Sequence, residues 1–468
     1  MLFSSMSFIF VFLPIVCSLY LVTRKELHNP ILLFASIIFY AWGEPRYLAI
    51  MLLSILINYT GAICIEKYKN HKKLALGLTI AANLGFLIYF KYFNFILNNI
   101  NSLFHSHFNF IDVIMPIGIS FYTFQAISYI VDVYRGECKA QRDIYKLALF
   151  ICLFPQLIAG PIVKYHDIAE QIDSREVNFE KVNLGVKRFI IGLSKKMLIA
   201  NTLGAVADKI FTQAPDTFSP LVAWIGSIAY SFQIFYDFSG YSDMAIGLGL
   251  IFGFKFLENF NYPYISKSIT EFWRRWHISL STWFKQYLYI PLGGNRISPK
   301  RTYINLAIVF LFTGFWHGAS WNFIFWGLWN GFFIILEKAT GWHKDTDKPW
   351  INFLKHLYTI FIFVIGWVFF RADNLHYAVT YIANMFGCVK VHDELYYLNY
   401  YGDSIEIITL FVAILCAMPI FSKILEIEIK KEQKLLKIFI NIWLLFLFVL
   451  STAAIASSTY NPFIYFRF

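Results

Sequence analysis

Two histidines lie in apolar surroundings where an ionisable side chain is costly. Within residues 304–336, His317 is the only Asp, Glu, Lys, Arg or His. An ionisable group at membrane depth usually faces a partner, a cavity or water rather than lipid. Burial favours the uncharged imidazole, which can accept a proton near neutral pH. His317 is therefore a candidate functional residue, and the alternative is a core histidine hydrogen-bonded to a neighbouring helix.

The second histidine lies in an amphipathic stretch, residues 271–287, which is rich in tryptophan and arginine. The spacing predicts one helix over this stretch. One face of that helix would carry Trp273, His277 and Ser281. Glu271 and Arg275 are four residues apart, so they can form an ion pair on its surface.

Two interpretations of this amphipathic helix are open. It could lie in the lipid headgroup region, with its tryptophan and arginine side chains as interfacial anchors. Alternatively, it enters the protein and lines the cytosolic mouth of a cavity. In that case Arg274, Arg275 and Lys285 could bind an anionic donor such as a phosphate-rich thioester.

The 33 residues of the uncharged segment 304–336 are too many for one membrane-crossing helix. A straight helix of that length would span about 50 Å, whereas the hydrocarbon core is about 30 Å thick. Gly314 and Gly318 flank His317, and we predict a break or turn at residues 318–320. The same glycines could simply allow close helix packing.

A third polar group comprises Gln233, Asp237 and Asp243, at membrane depth or its edge. We expect these side chains to orient a substrate or line a cavity. A metal site is not predicted, because neither His277 nor His317 has a further ligand at a usual spacing. The six cysteines occur singly along the sequence and form no metal-binding or redox motif.

The composition excludes a soluble globular enzyme, because 58% of the residues are hydrophobic and only 15% are charged. Charge-free windows long enough to cross a bilayer recur at residues 47–65, 113–131, 217–236, 304–336 and 438–456. We read residues 2–22 as the first span and not as a cleaved signal peptide. The sequence predicts a polytopic all-α membrane protein, a single domain over residues 1–468, with about eleven to thirteen membrane elements, including re-entrant or amphipathic ones.

The net charge of +11 is explained by basic cytoplasmic loops, which are typical of membrane proteins, and does not indicate a nucleic-acid partner. Alternate connections are basic: Arg24 and Lys25; Lys67, Lys69, Lys72 and Lys73; Arg135, Lys139, Arg142 and Lys146; and Lys423, Lys430, Lys431, Lys434 and Lys437. These connections are predicted to face the cytosol. Both the N-terminus and Phe468 then lie outside the cell, while the topology of residues 147–236 is left open.

Three motifs together resemble the membrane-bound O-acyltransferase family. They are FWRRWHISLS at 272–281, YIPLGGNR at 289–296 and GFWHGASW at 314–321. The stretches FYDFSGYSD at 235–243 and NPFIYFRF at 461–468 are similar to the bacterial branch that acetylates alginate or peptidoglycan. MPIGISFYTF at 115–124 and QLIAGPI at 156–162 extend the resemblance towards the N-terminus.

This resemblance implies a helical domain around a central tunnel, where a thioester enters from the cytosol and an acceptor approaches from outside. It implies that His317 is the catalytic histidine and His277 the second family histidine. Candidate substrate-binding residues are Trp273, Arg274, Arg275, Ser281, Gln233, Asp237, Trp321 and Asn322. No tightly bound cofactor is expected; acetyl-CoA or an acyl carrier thioester would be the donor substrate.

By the same resemblance, the protein would work in the bacterial inner membrane and acetylate a cell-surface polysaccharide. A separate extracytoplasmic partner of the SGNH esterase type would complete the transfer. The competing hypothesis is a transporter or flippase, in which Gln233, Asp237, His277 and His317 line a substrate path. Release of free CoA from acetyl-CoA in the presence of the acceptor would distinguish the enzyme from the flippase.

Overall fold

We describe the protein from a computed structural model. The structure describes residues 1–111, 113–158, 160–391, 398–420, 434–458, 460–462 and 464. Within these ranges the chain forms helices joined by turns and loops, and no β-strand occurs. This confirms the all-α class predicted from the sequence. The predicted cytosolic residues Lys423, Lys430 and Lys431, and the terminal Phe468, lie outside the described residues.

The described helices vary widely in length along the chain. The first nine are α1 (Leu13–Val22), α2 (His28–Gly43), α3 (Leu48–Lys67), α4 (Lys72–Leu87), α5 (Phe93–Phe104), α6 (Ile119–Arg135), α7 (Ile144–Cys152), α8 (Phe154–Leu157) and α9 (Tyr165–Asp173). The next six are α10 (Phe179–Ser194), α11 (Asn201–Phe211), α12 (Pro220–Ile251), α13 (Ile269–Arg275), α14 (Ile278–Phe284) and α15 (Pro299–His317). The others described are α16 (Trp321–Thr340), α17 (Pro349–Arg371), α18 (Leu375–Met385), α19 (Leu398–Tyr401), α20 (Ser404–Cys416) and α21 (Lys434–Ser457).

Five helical segments among the described residues are long and apolar enough to cross a membrane. They are Pro45–Lys67, Lys69–Phe104, Phe179–Phe211, Pro349–Arg371 and Lys434–Ser457, and two shorter apolar helices are Phe8–Val22 and Ser404–Cys416. These segments fit a multi-pass membrane protein. Re-entrant and amphipathic elements are too short or too polar to be included, so the number of about eleven to thirteen elements stays a prediction.

The chain divides into two compact units. Unit 1 comprises Met1–Phe189 and Ser242–Leu257, and unit 2 comprises Ile190–Tyr241 and Glu258–Phe468. In unit 1 a cluster of phenylalanines, including Phe8, Phe39 and Phe154, is fully buried. Both predicted histidines lie in unit 2, so the arrangement of unit 2 decides the candidate site.

The uncharged segment of residues 304–336 folds back on itself, as its length requires. Helix α15 ends at His317, and α16 begins at Trp321. The predicted break at residues 318–320 is therefore confirmed. The two helices pack closely where glycines meet: a Cβ on Gly314 would lie 2.3 Å from the carbonyl oxygen of Phe323 and 3.1 Å from the Cα of Gly327. Gly314 thus allows the two helices to pack with their backbones in contact.

Candidate functional site

His317 is the last residue of α15 and is only 5% exposed. Its ring packs against three aromatic rings. The centres of the Trp316, Trp326 and Phe370 rings lie 4.9, 5.0 and 5.1 Å from that of His317. The last two rings are steeply inclined to the imidazole, at 88° and 75°. The imidazole is therefore enclosed by protein and does not face lipid.

His277 interrupts the helix that the sequence predicts over residues 271–287. Helix α13 ends at Arg275, α14 begins at Ile278, and His277 between them has a left-handed backbone with φ of 44°. Non-glycine residues adopt this region infrequently, and it is often found at functional positions. The prediction of one continuous helix was wrong. Consequently Trp273, His277 and Ser281 do not share one helix face.

The Nδ1 atom of the buried His277 imidazole lies within hydrogen-bonding distance of the side chains of Asn259 and Ser279. This atom lies 3.1 Å from Oδ1 of Asn259. The same oxygen accepts hydrogen bonds from the backbone N–H of Ser279 at 3.2 Å and from its hydroxyl at 2.9 Å. Because this oxygen is an acceptor, the Nδ1 atom must carry the proton. In the neutral ring, the Nε2 atom then has the lone pair that can accept a proton.

The indole of Trp316 packs against both histidine rings. The centre of the Trp316 ring lies 6.2 Å from that of His277 and 4.9 Å from that of His317. The imidazole of His277 also packs against Phe238, whose ring meets it edge-on at a centre-to-centre distance of 4.6 Å. The fold therefore brings two histidines that are 40 residues apart in the sequence against the same indole.

Glu337 holds the beginning of α13, the helix that leads to His277. Its buried carboxylate accepts hydrogen bonds from the backbone N–H groups of Ile269 and Thr270 at 2.6 and 2.9 Å, and from the Thr270 hydroxyl at 2.7 Å. A carboxylate stabilises the unpaired N–H groups of a helix start. The predicted ion pair between Glu271 and Arg275 also forms, at 2.8 Å. Sequence reasoning missed Glu337, although it is the first acidic residue after the uncharged segment.

The remaining predicted residues of the 271–287 stretch differ in exposure. The indole of Trp273 is buried and donates to the side-chain oxygen of Asn330 at 3.1 Å. The hydroxyl of Ser281 donates to the backbone carbonyl of Trp273 at 3.1 Å. Arg274 and Lys285 are exposed. The first two side chains thus support the fold around the histidines, whereas the two exposed cations are accessible to an anionic ligand.

Gln233 and Asp237 lie on α12 and are buried. Asp237 forms an ion pair with Lys196, and its Oδ2 accepts a hydrogen bond from the backbone N–H of Ile464 at 3.0 Å. Gln233 packs closely against Gly204 of α11. A Cβ atom added to Gly204 would lie only 2.6 Å from the side-chain nitrogen of Gln233. Both predicted residues are therefore buried within unit 2, in contact with α11 or the segment that precedes it.

Trp321 and Asn322 begin α16 and have different surroundings. Trp321 is 56% exposed, whereas Asn322 is buried. The amide nitrogen of Asn322 donates to the backbone carbonyls of Phe369 and Ala372 at 3.2 and 2.7 Å. Asn322 thereby ties the start of α16 to the end of α17, which carries Phe370 against His317.

One group of side chains in unit 1 has the spacing of a metal site. Asp132, Glu137 and His166 have ligand atoms within 4.8 Å of one another. However, Nδ1 of His166 lies 2.8 Å from a carboxylate oxygen of Asp132, which is a hydrogen-bond distance. Lys164 and Arg135 form ion pairs with neighbouring acidic side chains. These contacts account for the group as an ion-pair network, and we assign no metal to it.

Comparison with the sequences of known proteins shows which family this chain resembles. The sequence model of MBOAT, the membrane-bound O-acyltransferase family, matches residues 140–377, which include both histidines. The chain is 41% identical to the probable alginate O-acetylase AlgI of Pseudomonas putida over 100% of both chains. It is 46% identical to the protein of the same name from Pseudomonas aeruginosa, over 83% of this chain and 75% of that protein.

A second kind of relative comes from Helicobacter pylori. The chain is 39% identical to its peptidoglycan O-acetyltransferase, over 83% of this chain and 80% of that protein. The resemblance that the motifs indicated is therefore confirmed by matches over most of the sequence. This chain belongs to the membrane-bound O-acyltransferase family.

Proposed function

We propose that this protein is a membrane O-acetyltransferase that passes an acetyl group from a cytosolic thioester across the membrane for O-acetylation of a cell-surface polysaccharide. The observation that carries the proposal is the enclosure of His317 at the turn between α15 and α16, with Trp316 in contact with both histidines. The names of the relatives support acetyl transfer to peptidoglycan or to an exopolysaccharide such as alginate.

In the proposed reaction, His317 acts as general base. Its imidazole accepts the proton of an acceptor hydroxyl while that oxygen attacks the carbonyl carbon of the thioester. The C–S bond then breaks, and the thiolate takes the proton from the imidazolium. An ester and a free thiol result. The family resemblance supports this role for His317.

The other predicted residues support binding and orientation in this proposal. His277 positions the donor or passes a proton, and Trp273 and Ser281 hold the turn that carries it. Arg274 and Arg275 attract the phosphates of acetyl-CoA or of an acyl carrier. Gln233, Trp321 and Asn322 shape the path of the substrate, and Asp237 orients the groups that line it. No tightly bound cofactor or metal is needed.

We further propose a single membrane domain in the bacterial inner membrane, with both termini outside the cell. The alternation of basic and non-basic connections supports this orientation. A separate SGNH-type protein on the outer side would receive the acetyl group and deliver it to the polysaccharide. This arrangement follows from the family resemblance.

The test is thioester turnover by the purified protein in lipid. With labelled acetyl-CoA and a soluble acceptor or the outer partner, we expect free CoA and labelled ester in equal amounts. Loss of O-acetyl groups from wall polysaccharide in a deletion strain would identify the final acceptor. Movement of the polysaccharide across vesicles without CoA release would instead support the flippase.

A further inference from the structure

A buried ion pair in unit 2 lies outside the aromatic surroundings of the two histidines. Lys196 belongs to the π-helical segment Lys195–Ala200, and Asp237 lies on α12. Their side chains form an ion pair and are only 3% and 1% exposed. Burying two charges is costly unless further hydrogen bonds satisfy them. Such a pair therefore requires a specific arrangement of its neighbours.

Those further hydrogen bonds come from the backbone near the end of the chain. The ammonium of Lys196 donates to the carbonyl oxygen of Pro462. The carboxylate of Asp237 accepts from the backbone N–H of Ile464 at 3.0 Å. The cation thus binds a carbonyl and the anion binds an amide two residues further on. Both are charge-assisted hydrogen bonds, the stronger kind in proteins.

Tyr460 is also held by two hydrogen bonds. The hydroxyl of Tyr460 donates to Asp208 at 2.6 Å, and the amide of Asn201 donates to the carbonyl oxygen of Tyr460 at 3.3 Å. Asp208 is itself fixed by an ion pair with Arg371 at 2.6 Å. Residues 460–462 and 464, which we call the C-terminal segment, are therefore bound to α11 at one end and to the Lys196–Asp237 pair at the other.

Glycines allow the helices to approach closely enough for these contacts. A Cβ on Gly240 would lie 2.7 Å from the carbonyl oxygen of Gly192, so α10 and α12 cross with their backbones in contact. A Cβ on Gly204 would lie 3.1 Å from the hydroxyl of Tyr460. Larger residues at these positions would separate the elements that hold the C-terminal segment.

The bound segment contacts α12 at the residue that directly precedes Phe238 in the sequence. Phe238 follows Asp237 on α12, and its ring covers His277 at 4.6 Å. We propose that Lys196 and Asp237 are positioning residues that dock the C-terminal segment on α12 and so hold Phe238 against His277 during acyl transfer. This role rests on the proposed function, because it assigns the pair to the same reaction.

The test replaces the pair with apolar residues of similar size. Removing both charges leaves no unpaired buried charge, so Lys196→Met with Asp237→Leu is expected to fold with a melting temperature near that of the wild type. We expect kcat for acetyl transfer to fall by about tenfold, with KM for the thioester unchanged, because the change acts on the reacting geometry. Lys146→Met, which removes an exposed ion pair with Asp173, is the matched control and should leave kcat unchanged.

A second measurement reports on docking without reference to activity. Carboxypeptidase digestion of the folded full-length protein, followed by mass spectrometry, is expected to release residues 460–464 at least about tenfold faster from the double variant than from the wild type, because an undocked backbone is open to proteolysis. Equal release from both proteins, or a kcat that stays at the wild-type value, would overturn the proposal. A wild-type protein without thioester turnover but with slow release of these residues would contradict the proposed function and leave the docking intact.

Discussion

The surroundings of the two histidines differ in kind. His317 ends a helix and meets three aromatic rings. His277 occupies a left-handed turn, and its ring is oriented by a hydrogen bond to Asn259. Aromatic rings enclose the imidazole of His317, whereas the amide of Asn259 orients the ring of His277. The role of base that we propose for His317 and the role of orienting residue that we propose for His277 thus fall on histidines with different surroundings.

Removal of the His317 imidazole tests its proposed role as general base. General base catalysis contributes about 10² to 10⁴ in rate, so His317→Ala should lower acetyl transfer by that factor while the protein stays folded. Transfer is measured as CoA release, and folding by melting temperature. His376→Ala, which changes an exposed histidine in unit 2, is the control. Retention of more than about a tenth of the wild-type rate would remove His317 from the role of base.

Two substitutions of His277 distinguish the role of its left-handed backbone from the role of its imidazole ring. Asparagine tolerates the left-handed region, so His277→Asn should fold but lose transfer about tenfold or more if the ring orients the donor or passes a proton. His277→Val should in addition lower the free energy of unfolding by about 1 to 3 kcal/mol, because a β-branched residue is strained there. Full activity in the asparagine variant would show that only the turn matters.

Loss of the Asn259 amide would leave the ring of His277 in place without its orientation. Asn259→Ala leaves the N–H groups of His277 and Ser279 without their acceptor, which costs about 1 to 3 kcal/mol of stability. We expect acetyl transfer to fall by about tenfold, equivalent to about 1.4 kcal/mol in activation free energy.

Asn58→Ala provides the matched control, because Asn58 is another buried asparagine that hydrogen-bonds Asn83 in unit 1. It should cost similar stability, read from denaturant unfolding, without the loss in transfer per folded molecule. Equal losses of transfer in the two variants would mean that Asn259 contributes to stability alone.

The smallest effect is expected at the exposed cations. Arg274→Gln should raise KM for acetyl-CoA by about two- to fivefold, because an exposed charge contributes about 0.2 to 1 kcal/mol. The difference should shrink as salt concentration rises. The control is Arg46→Gln, which changes an exposed arginine in the connection between α2 and α3. This connection alternates with the basic ones and is therefore predicted to lie on the outer side, so KM should stay unchanged. An identical KM in the Arg274 variant at low salt would place the phosphate-binding site elsewhere.

Short-range patterns in the sequence predicted the features that depend on neighbouring residues. The length of the uncharged segment predicted the turn after His317, and the four-residue spacing predicted the ion pair of Glu271 with Arg275. The helical periodicity also predicted one continuous helix over residues 271–287, and that prediction was wrong at residue 277. There the backbone of the neighbouring segment competes with the helix: the Ile278 N–H donates to the Asn259 carbonyl oxygen at 2.9 Å.

The sequence by itself determined the helical membrane class, the family motifs and the two histidines, because apolar length, charge and motif spacing are written along the chain. Only the tertiary structure decided which side chains orient those histidines. Asn259, Glu337 and the Lys196–Asp237 pair act through contacts between distant segments. Such contacts depend on how helices cross, and helix-crossing geometry has no local signature in the sequence.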